Sequence, residues 1–193
     1  MAEKVSVEDN DIKLIIAFQK GDEFSFNEIL NKYEKPLINF IYRFIGSQTE
    51  AEDIVQEVFI RVYKSAANYK PSFRFSTWIY KIATNLCIDY HRKRKIKTVS
   101  LNHPINTKEG EIKRETTDLS QATPDISIEK KQISETIQSA LLSLPVNQRI
   151  ALTLKVYENK SYREISEIIG CSVPAVESLL FRARLSLRNK LAF

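Results

Sequence analysis

Apolar residues recur at helical spacing along most of this 193-residue chain. Phe26, Leu30, Tyr33, Leu37, Ile41 and Phe44 step by four, three, four, four and three, which puts them on one face of a helix. Pro36 interrupts that stretch. Its missing N–H suits a first turn better than an interior, so a kink or a restart is expected there, and Gly46 ends the segment. A second helix is predicted over 49–65, with Ile54, Val55, Val58, Phe59 and Val62 inward and Glu50, Asp53, Gln56, Glu57 and Arg61 outward. After the loop NYKPSFRF, Ser76 is a candidate N-cap for a third helix, whose stripe is Ile79, Ile82, Ala83, Leu86 and Tyr90. That helix runs into HRKRKIK, five cations in seven residues.

The second half repeats the pattern. Residues 128–144 read as helix, and Pro145 restarts a helix through about Val156. Ser161-Tyr-Arg-Glu164 is a capping box opening a helix that ends at Gly170. Ser172 caps the last helix, with Val176, Leu180, Ala183, Leu187 and Leu191 along one side. Two helices joined by Gly-Cys-Ser, the second ending in an Arg-rich turn, match the helix-turn-helix pattern. Between the halves, residues 98–127 carry two prolines, one glycine and no stripe longer than a turn, and read as a flexible linker. The expected fold is therefore all-α: two small helical domains, 1–97 and 128–193, joined by the linker 98–127.

Composition narrows the function classes. Four glycines in 193 residues, roughly 2% against a usual ~7%, argue against sandwiches, barrels, Walker loops and dinucleotide folds. The net charge of +5 favours polyanionic partners, and the linker is the acidic piece at −2. Cys87 and Cys171 offer no zinc spacing or disulfide framework, and both read as small buried residues. The polar start MAEKVSVEDN lacks a leader's apolar run and nothing approaches a membrane span, so a cytoplasmic protein without membrane insertion is expected. With two histidines, no nucleophile elbow and no ligand cluster, neither catalysis nor a metal or cofactor is expected.

Binding is where the chemistry concentrates. Tyr69, Phe73, Phe75 and Trp78 interleave with Lys70 and Arg74 just before the basic run. Aromatics beside cations make a stacking platform for unpaired bases. Phe75 is expected to pack inward and Trp78 to be shared between core and surface. In the last helix Arg182, Arg184 and Arg188 suit phosphate contacts, while Glu177 and Ser178 are the polar candidates for base edges. Phe181 and Leu185 point away from the helix's own stripe, which implies cover by another protein.

TEAEDIVQEVFIRVYKSAANYKPSFRFSTWIYKIATNLCIDYHRKRK resembles the second conserved region of bacterial RNA polymerase sigma factors. LPVNQRIALTLKVYENKSYREISEIIGCSVPAVESLLFRARLSLRNKL resembles their fourth region, and together they resemble the two-domain extracytoplasmic-function group. The resemblance implies a partner in core RNA polymerase, with Asp53, Gln56, Glu57 and Arg61 on the beta-prime coiled coil and the beta flap as a second contact. It implies −10 promoter contacts by Lys70, Phe73, Arg74, Trp78, Lys81, Asn85, Arg92, Lys93, Arg94 and Lys95. Contacts to the −35 element fall on Ser172, Val173, Pro174, Ala175, Glu177, Ser178, Phe181, Arg182, Arg184 and Arg188. Glu177 and Leu179 stand where the family often has Lys and Arg, which bears on the −35 base preference. An anti-sigma factor is a further implied partner. The alternatives are a stand-alone helix-turn-helix regulator, which gives the outer face 53–61 and the aromatic-basic loop no role, and, more remotely, an RNA-processing enzyme, against which the lack of any acid-base or metal constellation weighs. A linker of this length reaches roughly 100 Å extended but averages about 30 Å as a free coil, so two elements somewhat under two DNA turns apart are spanned only if something holds it extended.

Overall fold

A computed structural model describes residues 10–71, 73–100 and 124–191, and among these it contains eight α-helices and no strand. They are α1 (Asn10–Gln19), α2 (Glu23–Ile45), α3 (Gln48–Ser65), α4 (Phe75–Ser100), α5 (Pro124–Leu142), α6 (Val146–Val156), α7 (Tyr162–Ile169) and α8 (Val173–Lys190), with one 3-10 turn at Ala66–Asn68. Helices α1 to α4 pack as one bundle and α5 to α8 as another.

The predicted stripes are the buried faces. Phe26, Tyr33, Leu37, Ile41 and Phe44 of α2 meet Val55, Val58 and Val62 of α3 and Ile79, Ala83 and Leu86 of α4 in one apolar core. The proline at 36 neither restarts nor ends α2, which runs unbroken through it. Buried contacts on both sides of Pro36, at Tyr33, Leu37 and Phe40, hold the helix together against the roughly 3 kcal/mol that an interior proline costs. Gly46 closes α2 at φ +82°, its N–H donating to the Tyr42 carbonyl at 2.7 Å. A Cβ there would lie 2.8 Å from a terminal methyl of Leu142, which a side-chain shift can relieve, so it is the left-handed backbone that calls for glycine.

Three expectations are corrected. Helix α1, absent from the sequence reading, is held by fully buried Ile12 and Ile15 and by buried Asp11, which accepts from the Tyr33 hydroxyl at 2.7 Å and pairs with Lys32. Ser76 does not cap α4, which begins one residue earlier; the Trp78 N–H donates to the Arg74 carbonyl, and the Ser76 hydroxyl instead accepts from Lys160 of the α6–α7 loop at 2.9 Å. The linker is shorter than 98–127, because α4 continues to Ser100 and α5 begins at Pro124. Gly110, His103 and the rest of the linker lie outside the described residues.

The two bundles are also packed against each other, α4 against α7 and α2 against α5 and α6. The flexible-linker reading gave no sign of this contact.

Candidate nucleic-acid interface

The aromatic cluster divides in two. Tyr69 and Phe75 are buried, with ring centroids 5.9 Å apart, and Phe75 packs edge-on to Tyr33 at 5.6 Å. The Tyr69 hydroxyl donates to the Phe73 carbonyl at 2.9 Å, and the Gln19 amide donates to the carbonyls of Ala66 and Tyr69, so the loop is pinned at both ends. On this base sit Trp78, half-buried and 4.9 Å from the Tyr69 ring, and Phe73, 46% exposed. Two of the four rings are core and two present a face, with Phe75 and Trp78 placed as expected.

Lys70, Arg74, Lys81, Asn85, Arg92, Lys93 and Arg94 are all exposed along the same loop and α4, and Arg92 forms an exposed pair with Asp89 at 3.1 Å. Lys95 falls outside the residues whose side chains are described. Beside Trp78 a depression of about 430 Å³ is lined by Arg61, Lys64, Asn68, Ile82 and Asn85. An indole next to two cations and two amides suits a stacked, hydrogen-bonded base with its phosphate.

On the outer side of α3, Asp53 and Gln56 are exposed. Glu57 and Arg61 bond to each other at 2.8 Å, an i,i+4 pair that lowers the net charge each offers a partner. The structure adds two residues to this face, Ile60 and Tyr63, which are 47% and 54% exposed. With Phe26, Leu30, Gln56 and Phe59 they line an apolar groove of about 660 Å³ between α2 and α3. Their signal in the sequence was apolar character off the inward stripe, as at Phe181 and Leu185.

The helix-turn-helix is built by local bonds. The Ser161 hydroxyl accepts from the Glu164 N–H at 3.2 Å, and the Glu164 carboxylate accepts from the Ser161 N–H at 2.9 Å. Burial alone would raise the Glu164 pKa, but the carboxylate accepts from the Ser161 N–H and, at 2.8 Å, from the Ser161 hydroxyl, and these bonds, with Lys160 and Arg74 nearby, outweigh burial and hold the carboxyl below its usual range. Gly170 turns the chain at φ +78°, and the N–H groups of Gly170 and Cys171 both donate to the Ser166 carbonyl. The Ser172 hydroxyl then caps α8, accepting from the Ala175 N–H at 3.4 Å.

Ser172, Val173, Pro174, Glu177 and Ser178 are exposed at the start of α8, and Ala175 is half-buried. Arg182, Arg184 and Arg188 are exposed further along, with the Arg182 Nε donating to the Ser178 carbonyl at 3.2 Å. Phe181 is 68% exposed and Leu185 39%. Leu179 packs against the core, so its apolar character serves folding rather than base contact.

Cys87 is buried and its thiol pushed well up by desolvation, whereas Cys171 is only half-buried, short of the burial expected for it. Among the described residues no group of three or more His, Cys, Asp or Glu is placed to hold a metal, and no helix is long and apolar enough to cross a membrane.

Residues 29–96 match the family model for Sigma-70 region 2, and residues 134–187 match that for Sigma-70, region 4. The chain is 35% identical over 179 residues to the ECF RNA polymerase sigma factor SigW of Bacillus subtilis, covering 93% of this chain and 95% of the relative. It is 30% identical over 192 residues to the ECF RNA polymerase sigma-E factor of Haemophilus influenzae, covering 99% and 98%. In fold it resembles CnrH, solved in complex with the cytosolic domain of CnrY, with a TM-score of 0.71, 21% identity and coverage of 95% and 98%. It also resembles the sigma factor RpoE of Bartonella quintana, solved with the anti-sigma factor NepR, with a TM-score of 0.66, 20% identity and coverage of 86% and 96%.

Proposed function

This chain belongs to the extracytoplasmic-function RNA polymerase sigma factors, and on that premise we propose how its residues divide the work of directing promoter-specific initiation. The outer face of α3, with Asp53, Gln56, Glu57 and Arg61, binds core polymerase through the beta-prime coiled coil. Ile60, Tyr63 and the groove behind them extend that surface with apolar area. Phe73 and Trp78 stack unpaired bases of the −10 element, and Lys70, Arg74, Lys81, Asn85 and the Arg92–Lys95 run hold the separated strand. Helix α8 enters the −35 major groove from Ser172, with Arg182, Arg184 and Arg188 on phosphates.

One observation carries this reading: an exposed Phe73 and a half-buried Trp78 sit on a buried Tyr69–Phe75 base, in reach of the cations of α3 and α4. A stacking edge of that kind suits unpaired bases, which a duplex-binding regulator does not create. The protein supplies binding energy and no bond chemistry, so no cofactor enters. Stacking contributes about 1–3 kcal/mol per base, and the cations add a salt-sensitive term. Glu177 and Ser178 are the only polar side chains in the first two turns of α8, so −35 recognition leans on phosphate contacts and DNA shape. Phe181 and Leu185 suit a protein partner, either the beta flap or an anti-sigma factor. The site of action is the cytoplasm, with the polymerase.

The docking half of the proposal is tested by charge reversal. Asp53→Lys with Glu57→Lys, measured by fluorescence anisotropy against core polymerase, should weaken binding by about tenfold or more while leaving the helical circular dichroism unchanged. Unchanged affinity would remove α3 from the docking face.

A further inference from the structure

The exposed side of α8 offers a duplex few polar side chains. Val176, Leu180 and Ala183 are buried in the bundle, while Val173, Pro174, Glu177, Ser178 and Phe181 face solvent over the first turns. The arginines begin only at Arg182, so Glu177 is the one charged side chain at the leading end of this helix.

Its carboxylate is also unengaged. From Pro145 onward the chain has four side-chain carboxylates. Glu158 accepts from the Tyr80 hydroxyl, Glu164 accepts from the Ser161 N–H at 2.9 Å, and Glu167 pairs with Arg163 at 3.5 Å. Glu177 alone of the four has no hydrogen bond or ion pair among the described residues. Helix geometry explains this. Its neighbours three and four positions away are Val173, Pro174, Leu180 and Phe181, and none of these side chains carries a donor. Folding therefore leaves Glu177 both its charge and its acceptor capacity.

A free carboxylate entering a groove between two rows of phosphates is repelled unless a base edge supplies a donor. In the major groove guanine N7 and O6 and thymine O4 are acceptors, which add to the repulsion. Adenine offers its N6 amino group but sets the N7 acceptor beside it. Cytosine presents its N4 amino donor with no acceptor of its own on that edge, so it is the base a carboxylate selects.

We propose that Glu177 is a specificity-determining residue of −35 recognition, its carboxylate accepting from the N4 amino group of one cytosine on the contacted strand. The inference rests on the sigma-factor reading and adds to it one directly read base pair, where phosphate contacts and DNA shape otherwise carry the element. Ser178, next along the helix, can donate or accept and so discriminates weakly. Arg182, Arg184 and Arg188 supply the attraction to phosphates that offsets the negative charge carried into the groove.

The test uses holoenzyme assembled from the full chain and core polymerase, transcribing a promoter library randomised across both elements, with the productive templates sequenced. Wild type should enrich cytosine at one −35 position of one strand by about fivefold or more. Glu177→Ala, a change at an exposed helical position, should erase that preference while leaving the other positions and the helical circular dichroism unchanged. Glu177→Arg should move the preference at the same position from cytosine to guanine, whose O6 and N7 an arginine bonds. A wild type with no cytosine position, or an alanine variant that keeps it, overturns the assignment. So does an alanine variant that transcribes every template better without altering any base preference, since Glu177 would then act as a general repulsive charge. Wild-type holoenzyme making no more transcript than core alone overturns the sigma reading instead. Selection of random duplexes by the free chain then decides the contact: a cytosine position lost with Glu177→Ala supports it, and no such position overturns it.

Discussion

Phe75 and Trp78 are three residues apart in one helix and do different things. Phe75 is fully buried between Tyr33 and Tyr69, whereas Trp78 keeps a face toward solvent. Phe75→Ala should therefore cost about 3–5 kcal/mol of stability, read by denaturant unfolding. Trp78→Ala should cost less stability but lower the yield of permanganate-reactive thymines in open complexes by about tenfold or more. Equal losses of stability in the two variants would make Trp78 a core residue. The split was legible because a basic loop around four rings cannot bury all of them. Tyr80 was not legible: it lies beside the Ile79–Ala83 stripe, packs edge-on to Phe40 of α2 at 5.3 Å, and its hydroxyl meets Glu158 of the second bundle, a partner that no stripe within α4 points to.

At the scale of elements, the helices followed from periodicity where each had one apolar face and a recognisable end. The capping box at Ser161, the turn at Gly170 and the cap at Ser172 form as their residue types dictate. Helix α1 escaped notice because its buried face is only Ile12, Ile15 and a paired Asp11, too short a pattern to stand out. Pro36 misled in the other direction, since a helix buried on both sides of it tolerates the lost bond. The capping box also makes a pH-dependent prediction. The Glu164 carboxyl is depressed in the folded state, so its contribution is present above the unfolded carboxylate pKa and lost as pH falls through the folded value. The melting temperature of Glu164→Gln should lie below that of wild type at pH 7, and the gap should close on acidification below about pH 4.5. A gap independent of pH would assign the loss to packing.

For the whole molecule, the sequence made the two-part architecture and the aromatic-basic edge readable, because each bundle has its own stripes and its own chemistry. The contact between the bundles was not readable. Tyr80, Glu158 and Lys160 look like ordinary members of their own segments, and their pairing spans 78 and 80 positions of chain. A linker long enough to separate two promoter readers also lets them fold onto each other, and the structure shows the folded arrangement. The central claim is that this chain, with core polymerase, selects and opens promoters, and reconstituted run-off transcription on a randomised promoter library tests it most directly. The account predicts transcripts above those of core alone, starting a fixed distance downstream of paired −35 and −10 motifs, and lost with Trp78→Ala. No stimulation of core polymerase, together with binding of the free chain to palindromic duplex DNA, would contradict it.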